Sequence, residues 1–182
     1  MHQYRFIAHF DPDEAPILPL HDSMSDLVDD LLKRSSAGSD DARSPHPGYA
    51  LQMNTFYDDL PPTEEAQDLP PFLWVLRHTT RLQQYAPFQT GFTKPIFDMD
   101  VARGVFSHAH VTCVTDTCPY ALKRVSPTIA YVGHYKKICG ELCHKKTLRT
   151  ETALLRYKET ILQAVTSVRK KLQLSSRSAL KR

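Results

Sequence analysis

The sequence predicts an α+β fold: a small antiparallel sheet with a long C-terminal amphipathic helix, stabilised by zinc, after a partly disordered acidic N-terminal region. Three observations predict it. Apolar residues alternate in three short segments, they recur every three or four positions in two others, and the two halves of the chain carry opposite charge. A chain of 182 residues suits one domain, or a smaller domain with flexible segments.

The first 34 residues predict a strand and then a helix. Apolar residues alternate in QYRFIAHF, as in a half-buried strand. Residues 22–34 place apolar side chains on one helical face and aspartates on the other. We expect this acidic helix to dock into the apolar groove of a partner protein, and the alternative is that it packs on its own domain. The anchors are Met24, Leu27, Val28, Leu31 and Leu32.

Residues 35–71 predict a linker. The segment is rich in Ser, Asp, Glu, Gly and Pro and has little periodicity, a composition typical of disordered chain. Within it, YALQMNTFY is apolar enough to dock on the domain or to recognise a partner.

Residues 72–174 predict a folded basic module. A helix is expected over 72–85, and two strands over 105–114 and 128–135, where β-branched and aromatic residues alternate with others. A long amphipathic helix begins at Thr150, and it either packs on the core or forms a homodimer through a coiled coil. Residues 175–182 form a basic tail.

The cysteines and histidines of this module predict a zinc site. Two close cysteine pairs, spaced x4 and x3, flank a strand-forming segment, and tetrahedral zinc needs four ligands from two converging segments. Histidines provide alternative ligands. The candidates are Cys113, Cys118, Cys139, Cys143, His110, His134 and His144. The alternative is that the thiols are ordinary buried side chains.

Cys118 also suggests a nucleophile. It precedes Arg124 by the spacing of a cysteine-phosphatase loop, in which backbone N–H groups and an arginine surround phosphate. The loop lacks a glycine, and Pro119 removes an N–H. A thiol-dependent phosphatase is therefore a lesser alternative to a protein without enzymatic activity.

The charge distribution indicates a nucleic-acid surface. Residues 1–116 contain 8 Lys and Arg against 17 Asp and Glu, whereas residues 117–182 contain 15 against 3. Basic side chains interleaved with tyrosines can neutralise phosphates and stack on bases, although they could equally be a solvated surface. The candidates are Lys123, Arg124, Lys136, Lys137, Lys145, Lys146 and Arg149.

No apolar run reaches the roughly 20 residues that span a bilayer, and no secretory signal is evident. We therefore expect an intracellular protein, in the nucleus or the cytoplasm, without a membrane partner. The expected function is that of a zinc-stabilised regulatory or accessory protein, of the kind that viruses encode, which binds RNA or DNA and recruits partner proteins. The alternative is a protein-interaction adaptor or inhibitor that does not bind nucleic acid.

Overall fold

The structure is a computed structural model that describes residues 4–36, 46–83, 85–116, 121–136, 138–144 and 147–172. The strands are β1 (Phe6–Ala8), β2 (Glu14–Ile17), β3 (Gly48–Tyr57), β4 (Thr80–Leu82), β5 (Thr93–Asp98), β6 (Lys123–Arg124), β7 (Tyr131–Lys136) and β8 (Leu148–Thr150). The helices are α1 (Met24–Ser36), α2 (Glu64–Gln67), α3 (Trp74–Arg77), α4 (Glu141–His144) and α5 (Lys158–Lys171), and 3-10 turns cover Pro71–Leu73, Thr90–Phe92 and Ala153–Tyr157.

Strand β3 is the centre of a curled mixed sheet. Its first half pairs antiparallel with β5, which pairs with β1, and its other side pairs parallel with β6. Its second half pairs parallel with β7, which in turn pairs antiparallel with β2. On the other edge of this half, Phe56 pairs with Arg81 of β4, and β4 pairs antiparallel with β8. The α+β class is confirmed. The expected small antiparallel sheet is not, because β6 and β7 run parallel to β3.

Helix α1 covers one face of this sheet. This packing is the alternative to partner docking that the amphipathic pattern left open, since Leu27, Val28 and Leu31 are buried against side chains of β3, β5 and β7. Hence the N-terminal region belongs to the core of the fold and is not a separate acidic arm. The strand expected in QYRFIAHF is present as β1.

The linker prediction is wrong for Gly48–Tyr57, the residues of β3. All but three of these ten residues are buried, since the strand has neighbours on both edges and packing on both faces. A strand buried on both faces lacks the alternation of apolar and polar residues that indicates a half-buried strand. Because its flanks are polar and Pro-rich, the whole segment had the composition of a linker.

Two predictions for residues 72–114 also need correction. The expected helix over 72–85 is limited to Pro71–Leu73 and α3, because β-branched Thr79 and Thr80 begin the extended chain of β4. The expected strand over 105–114 is replaced by irregular chain with one bridge, between Ala102 and Cys113. Strand β7 confirms the second predicted strand.

The C-terminal helix is shorter than predicted. Thr150 is the last residue of β8, a 3-10 turn covers Ala153–Tyr157, and α5 begins at Lys158. The apolar stripe of α5 packs on the protein's own domain, against a cluster from α2 to α3 formed by Ala66, Leu69, Leu73 and Leu76. This packing agrees with the core-packing alternative, and a homodimer through this helix stays a prediction. Within the described residues, no helix is long and apolar enough to cross a membrane.

Candidate functional site

One end of the sheet brings together titratable side chains that are far apart in the sequence. Strand β5 ends there, and β1, β3 and β6 begin there, because β5 runs antiparallel to β1 and β3 while β6 runs parallel to β3. We call this group the end-of-sheet cluster, and its members are Arg5, His46, Tyr49, Asp98, Asp100 and Lys123.

The centre of the cluster is Arg5. Its Nη2 donates to Asp98 Oδ2 at 2.9 Å and its Nε to Asp98 Oδ1 at 3.2 Å, while the same Nε lies 3.2 Å from Asp100 Oδ2. The Asp98 side chain is only 7% exposed, whereas that of Asp100 is 71% exposed. The hydrogen bond to Asp98 raises the pKa of Arg5, which therefore stays charged.

The backbone holds Asp98 in place. The Asp100 N–H donates to Asp98 Oδ1 at 3.1 Å, and the Asp98 N–H donates to the Pro47 carbonyl at 3.0 Å. At Gly48 the backbone φ is +139°, and a Cβ there would lie 2.0 Å from the Ile96 carbonyl oxygen. Only glycine lets the start of β3 approach β5 so closely.

His46 and Tyr49 form the inner side of the cluster. Their rings meet edge to face with centroids 4.7 Å apart, and His46 Nδ1 lies 3.0 Å from the Gly48 carbonyl oxygen. Burial, and then the charge of Lys123, lower the pKa of His46. Burial likewise raises the pKa of Tyr49, whose hydroxyl lies 3.3 Å from Ser35 Oγ at the end of α1.

Lys123 lies on β6, which pairs with the edge of β3 opposite to β5. It pairs with Tyr49, whose antiparallel partner across the opposite edge is Ile96. Register partners share a face, and two strand spacings place the Cα atoms of Ile96 and Lys123 about 10 Å apart. Lys123 and Asp98 therefore lie on the same face of one sheet end, and the cluster offers both cations and carboxylates to a ligand.

The cysteines that the zinc prediction combines lie at opposite ends of β3. Cys113 pairs with Ala102, just after Asp98, whereas the Cys139 N–H donates at 3.0 Å to both carboxylate oxygens of Asp59, two residues after β3. Ten residues of extended strand, roughly 30 Å, separate the two ends, and a zinc–sulfur bond is about 2.3 Å. One zinc ion therefore cannot bind both Cys113 and Cys139, and the prediction of a single site that combines the two cysteine pairs is wrong in this respect.

The described cysteines are all disulfide-bonded. Cys139 and Cys143 pair with each other with Cα atoms 5.6 Å apart, and Cys113 is also in a disulfide. Cys118 and the side chain of His144 lie outside what the structure describes. Among the described residues, no group of three or more His, Cys, Asp and Glu side chains is placed to hold a metal ion. Zinc at either end of β3 alone stays a prediction.

The remaining predicted ligands have other partners. His134 lies on β7 with its Nε2 3.2 Å from Asp13 Oδ2. The His110 ring stacks edge to face on Phe106 with centroids 4.9 Å apart.

The predicted basic surface is divided by the fold. Lys123 and Arg124 lie at the start of β3, Lys136 pairs with Tyr57 at its end, and Arg149 lies on β8 opposite Arg81. Lys137, Lys145 and Lys146 lie outside the described residues. Of the described candidates, Lys123 alone belongs to the end-of-sheet cluster.

The predicted docking helix presents its anchors inward. Leu27 and Leu31 are buried in the core and cannot contact a partner while α1 packs on the sheet, so the docking prediction is wrong for these two residues. Val28 is also largely buried but lines a groove beside β1. Met24 and Leu32 are half-buried at the edge of the same core.

Sequence reasoning missed the site that the structure assembles. Arg5, His46 and Asp98 come from three separate parts of the chain, and no spacing connects them. The one local signal is the pair Asp98 and Asp100 directly after the apolar segment KPIF, since carboxylates are the ligands that Mg²⁺ takes from proteins. No protein-family model matches the chain, and no curated protein matches it.

Proposed function

We propose that the protein binds nucleic acid through its phosphate groups at the end-of-sheet cluster, with a divalent cation such as Mg²⁺ between a phosphate and the carboxylates of Asp98 and Asp100. The observation that carries the proposal is the meeting of Arg5, Asp98, Asp100 and Lys123 at one end of the sheet. This keeps the nucleic-acid function expected from the sequence and moves its centre to residues that the sequence did not connect.

The mixture of charges favours a metal-assisted phosphate site. Arginine and lysine neutralise phosphate oxygens, and the planar guanidinium of Arg5 can hold two of them. Carboxylates beside the same phosphate repel it unless a cation lies between them. Mg²⁺ is usually bound by one or two carboxylates together with substrate phosphates and water, which is what Asp98 and Asp100 can supply.

Further cations next to the cluster favour a polymer over a single nucleotide. The exposed Arg124 follows Lys123 and holds its guanidinium 4.4 Å from the ring centre of Phe88. Lys33 is exposed in the last turn of α1, where Ser35 contacts Tyr49, whereas the neighbouring Arg34 is paired with Asp30 at 2.7 Å. A strand of nucleic acid that crosses the cluster would therefore meet several positive charges, each of which adds to affinity by releasing counterions.

The test is binding of fluorescent single-stranded DNA and RNA, measured by anisotropy with Mg²⁺ or with EDTA. Lys123→Met should weaken binding on every sequence and lower the slope of log affinity against log salt by about one. Lys136→Met removes an equivalent lysine at the opposite end of β3 and is the matched control. Equal effects of the two variants, or no binding to either polymer, would contradict the proposal.

A second candidate is metal-dependent phosphoryl transfer at the same carboxylates. The specific observation is that Asp98 is nearly buried and held by Arg5 while Asp100 is open to solvent, so one metal ligand is rigid and the other accessible. A metal ion held this way could stabilise charge on a transferring phosphate. Turnover of nucleic acid or nucleoside triphosphate that needs Mg²⁺ or Mn²⁺, and is lost in Asp98→Asn while oligonucleotide binding persists, would support it; binding without turnover favours the first candidate.

A further inference from the structure

Strand β1 is an edge strand of the sheet that the described residues form. It pairs with β5, and no strand of the described part of the chain pairs with its other edge. Unpaired N–H and C=O groups on such an edge are a template for an additional strand.

The hydrogen-bonding pattern between β1 and β5 identifies which backbone groups of β1 point away from the sheet. The Met99 N–H donates to the Arg5 carbonyl at 2.7 Å, so Arg5 and Met99 are a bonded pair of the antiparallel ladder. Bonded and non-bonded pairs alternate, which makes Phe6 opposite Asp98 and Ala8 opposite Ile96 the non-bonded pairs. The N–H and C=O groups of Phe6 and Ala8 therefore face away from β5, toward the open edge.

A groove runs along this edge, between β1 and α1. Its volume is about 470 Å³. Phe6, Ala8, Phe10 and Ile96 form its floor, and α1 forms its wall through Met24, Ser25, Val28 and Asp29. A strand added to β1 would place the side chains opposite Phe6 and Ala8 on the groove face, because directly opposed residues share a face of the sheet.

The rim of the groove is negative. Asp29 lines the groove, and Asp22 and Asp26 lie seven and three positions before it, on the same exposed face of the chain entering and forming α1. The Asp29 carboxylate has no ion pair with any described residue, and Asp22 is 93% exposed although it lies 3.6 Å from Arg156. An occupant that brings positive charge is therefore favoured.

We propose that an extended peptide binds as an additional strand on the outer edge of β1, with apolar side chains in the groove opposite Phe6 and Ala8 and a basic side chain at the next groove-facing position, two residues further along, toward the aspartates of α1. Backbone hydrogen bonds to Phe6 and Ala8 give affinity, and the groove and the aspartates give specificity. The interaction is independent of the nucleic-acid proposal, since it uses neither Lys123 nor Asp100.

The probe is a short fluorescein-labelled peptide in which two valines flanked by two lysines occupy every second position, with threonines between them, so that valines and lysines share one face. It is compared with peptides of the same length in which glutamate replaces lysine or N-methylated residues replace every second one. Anisotropy should rise with the lysine peptide. The glutamate peptide should bind more weakly because it meets the aspartates, and the N-methylated peptide should not bind because it cannot donate to the Phe6 and Ala8 carbonyls.

Two variants test the two parts of the site. Ala8→Pro removes an outward N–H and leaves the β5 ladder intact, a position where edge strands accept proline. It should weaken binding roughly tenfold, the effect of losing about one backbone hydrogen bond. Asp29→Lys should weaken binding of the lysine peptide and strengthen that of the glutamate peptide, whereas Glu65→Lys, an equal charge change on exposed α2, should do neither.

The outcomes decide between occupants. If Ala8→Pro melts early, Asp29→Lys still tests the site, because Asp29 is exposed. Concentration-dependent dimerisation of the wild type that Ala8→Pro abolishes would assign the edge to a second copy of the chain and overturn the peptide proposal. Binding of an oligonucleotide that Ala8→Pro abolishes would overturn it as well, as would lysine-peptide binding that all variants leave unchanged.

Discussion

Arg5 holds the carboxylate of Asp98 in a fork of two hydrogen bonds, although 93 residues separate the two in the chain. The Arg5 side chain is 52% exposed and that of Asp98 only 7%, so the pair lies at the boundary between core and solvent. Arg5 therefore has two roles in the end-of-sheet cluster: it compensates a nearly buried negative charge, and it leaves part of its guanidinium available to a ligand.

Replacing Arg5 should affect both stability and binding. Arg5→Met leaves Asp98 with the Asp100 N–H as its described donor, and we expect a loss of about 1–2 kcal/mol in the free energy of unfolding, modest because solvent reaches Arg5. Oligonucleotide affinity should fall with it. Urea unfolding and anisotropy measure the two effects. Asp100→Asn is the control: its side chain is exposed, so stability should change by less than about 0.5 kcal/mol while Mg²⁺-dependent binding is lost.

Lys94 forms a buried ion triad that should dominate local stability. Its side chain is fully buried, and its Nζ lies 2.8 Å from Asp11 Oδ2 and 2.9 Å from Glu14 Oε2, where Glu14 is only 2% exposed. Lys94→Met leaves a buried carboxylate without its counter-ion, which should cost about 3–5 kcal/mol in urea unfolding. Adding Glu14→Gln to Lys94→Met should recover part of that loss. A double variant no more stable than Lys94→Met would contradict this account.

The same triad predicts the effect of alkaline pH. Burial alone would lower the pKa of Lys94, but hydrogen bonds to Asp11 and Glu14 outweigh it and raise the pKa above the ordinary value of 10.5. The contribution to stability is therefore complete below 10.5 and is lost as the pH rises through the higher pKa of the folded state. Unfolding curves measured across this range should show a decline that is smaller in Lys94→Met.

His46 should make stability depend on pH at the acidic side of neutrality. Burial and Lys123 lower its pKa below the ordinary 6.5, so the unfolded chain binds a proton more readily than the folded protein. Stability is then complete above 6.5 and falls as the pH drops toward the pKa of the folded state. His46→Asn, which can still donate to the Gly48 carbonyl, should reduce this slope in urea unfolding. An unchanged slope would show that His46 is not its source.

Two buried tyrosine hydroxyls should respond in opposite ways to the same substitution. The Tyr131 hydroxyl donates to Glu151 Oε2 at 2.6 Å, and the Tyr135 hydroxyl is buried without a hydrogen-bond partner in the described part of the chain. Tyr131→Phe should therefore cost about 1–2 kcal/mol, because it removes a hydrogen bond to a charged group. Tyr135→Phe should be neutral or stabilising, and thermal melting of the two variants tests the contrast.

The sequence predicted the elements whose apolar pattern is strong and local. Helix α1 and strand β1 follow from periodicity, and β7 follows from its β-branched and aromatic residues, although β7 is buried on both faces. Strand β3 did not follow, since it is buried on both faces and its flanks are polar and Pro-rich. Partners from other parts of the chain, such as β5 and β7, make Gly48–Tyr57 a strand, and a local pattern does not contain them.

The end-of-sheet cluster could not be predicted for the same reason. Its members are connected only by the order of the strands, which places the start of β3 beside the end of β5. The cysteine spacing was informative over a short range but not over a long one. It correctly indicated that Cys139 and Cys143 are close to each other, but spacing says nothing about the strand that separates them from Cys113.

The loop closed by the Cys139–Cys143 disulfide allows a test of whether zinc binds at this end of β3 alone. Asp59 holds this loop by accepting the Cys139 N–H at 3.0 Å and the Gly140 N–H at 2.9 Å. Without these bonds the loop should open more readily, so dithiothreitol should reduce the Cys139–Cys143 disulfide faster in Asp59→Ala than in the wild type. Asp58→Ala, at the exposed neighbouring residue, is the matched control.

In the reduced protein the two thiols become available as ligands, and thiolates bind zinc far more strongly than thiols or disulfides do. We expect zinc to remain in the reduced wild type after dialysis and a chelator to lower its melting temperature, while a Cys139→Ser, Cys143→Ser double variant retains no zinc at this end of β3. Elemental analysis and thermal melting measure both effects. Reduced wild type that holds no zinc and melts identically with and without chelator would show that these cysteines are structural only.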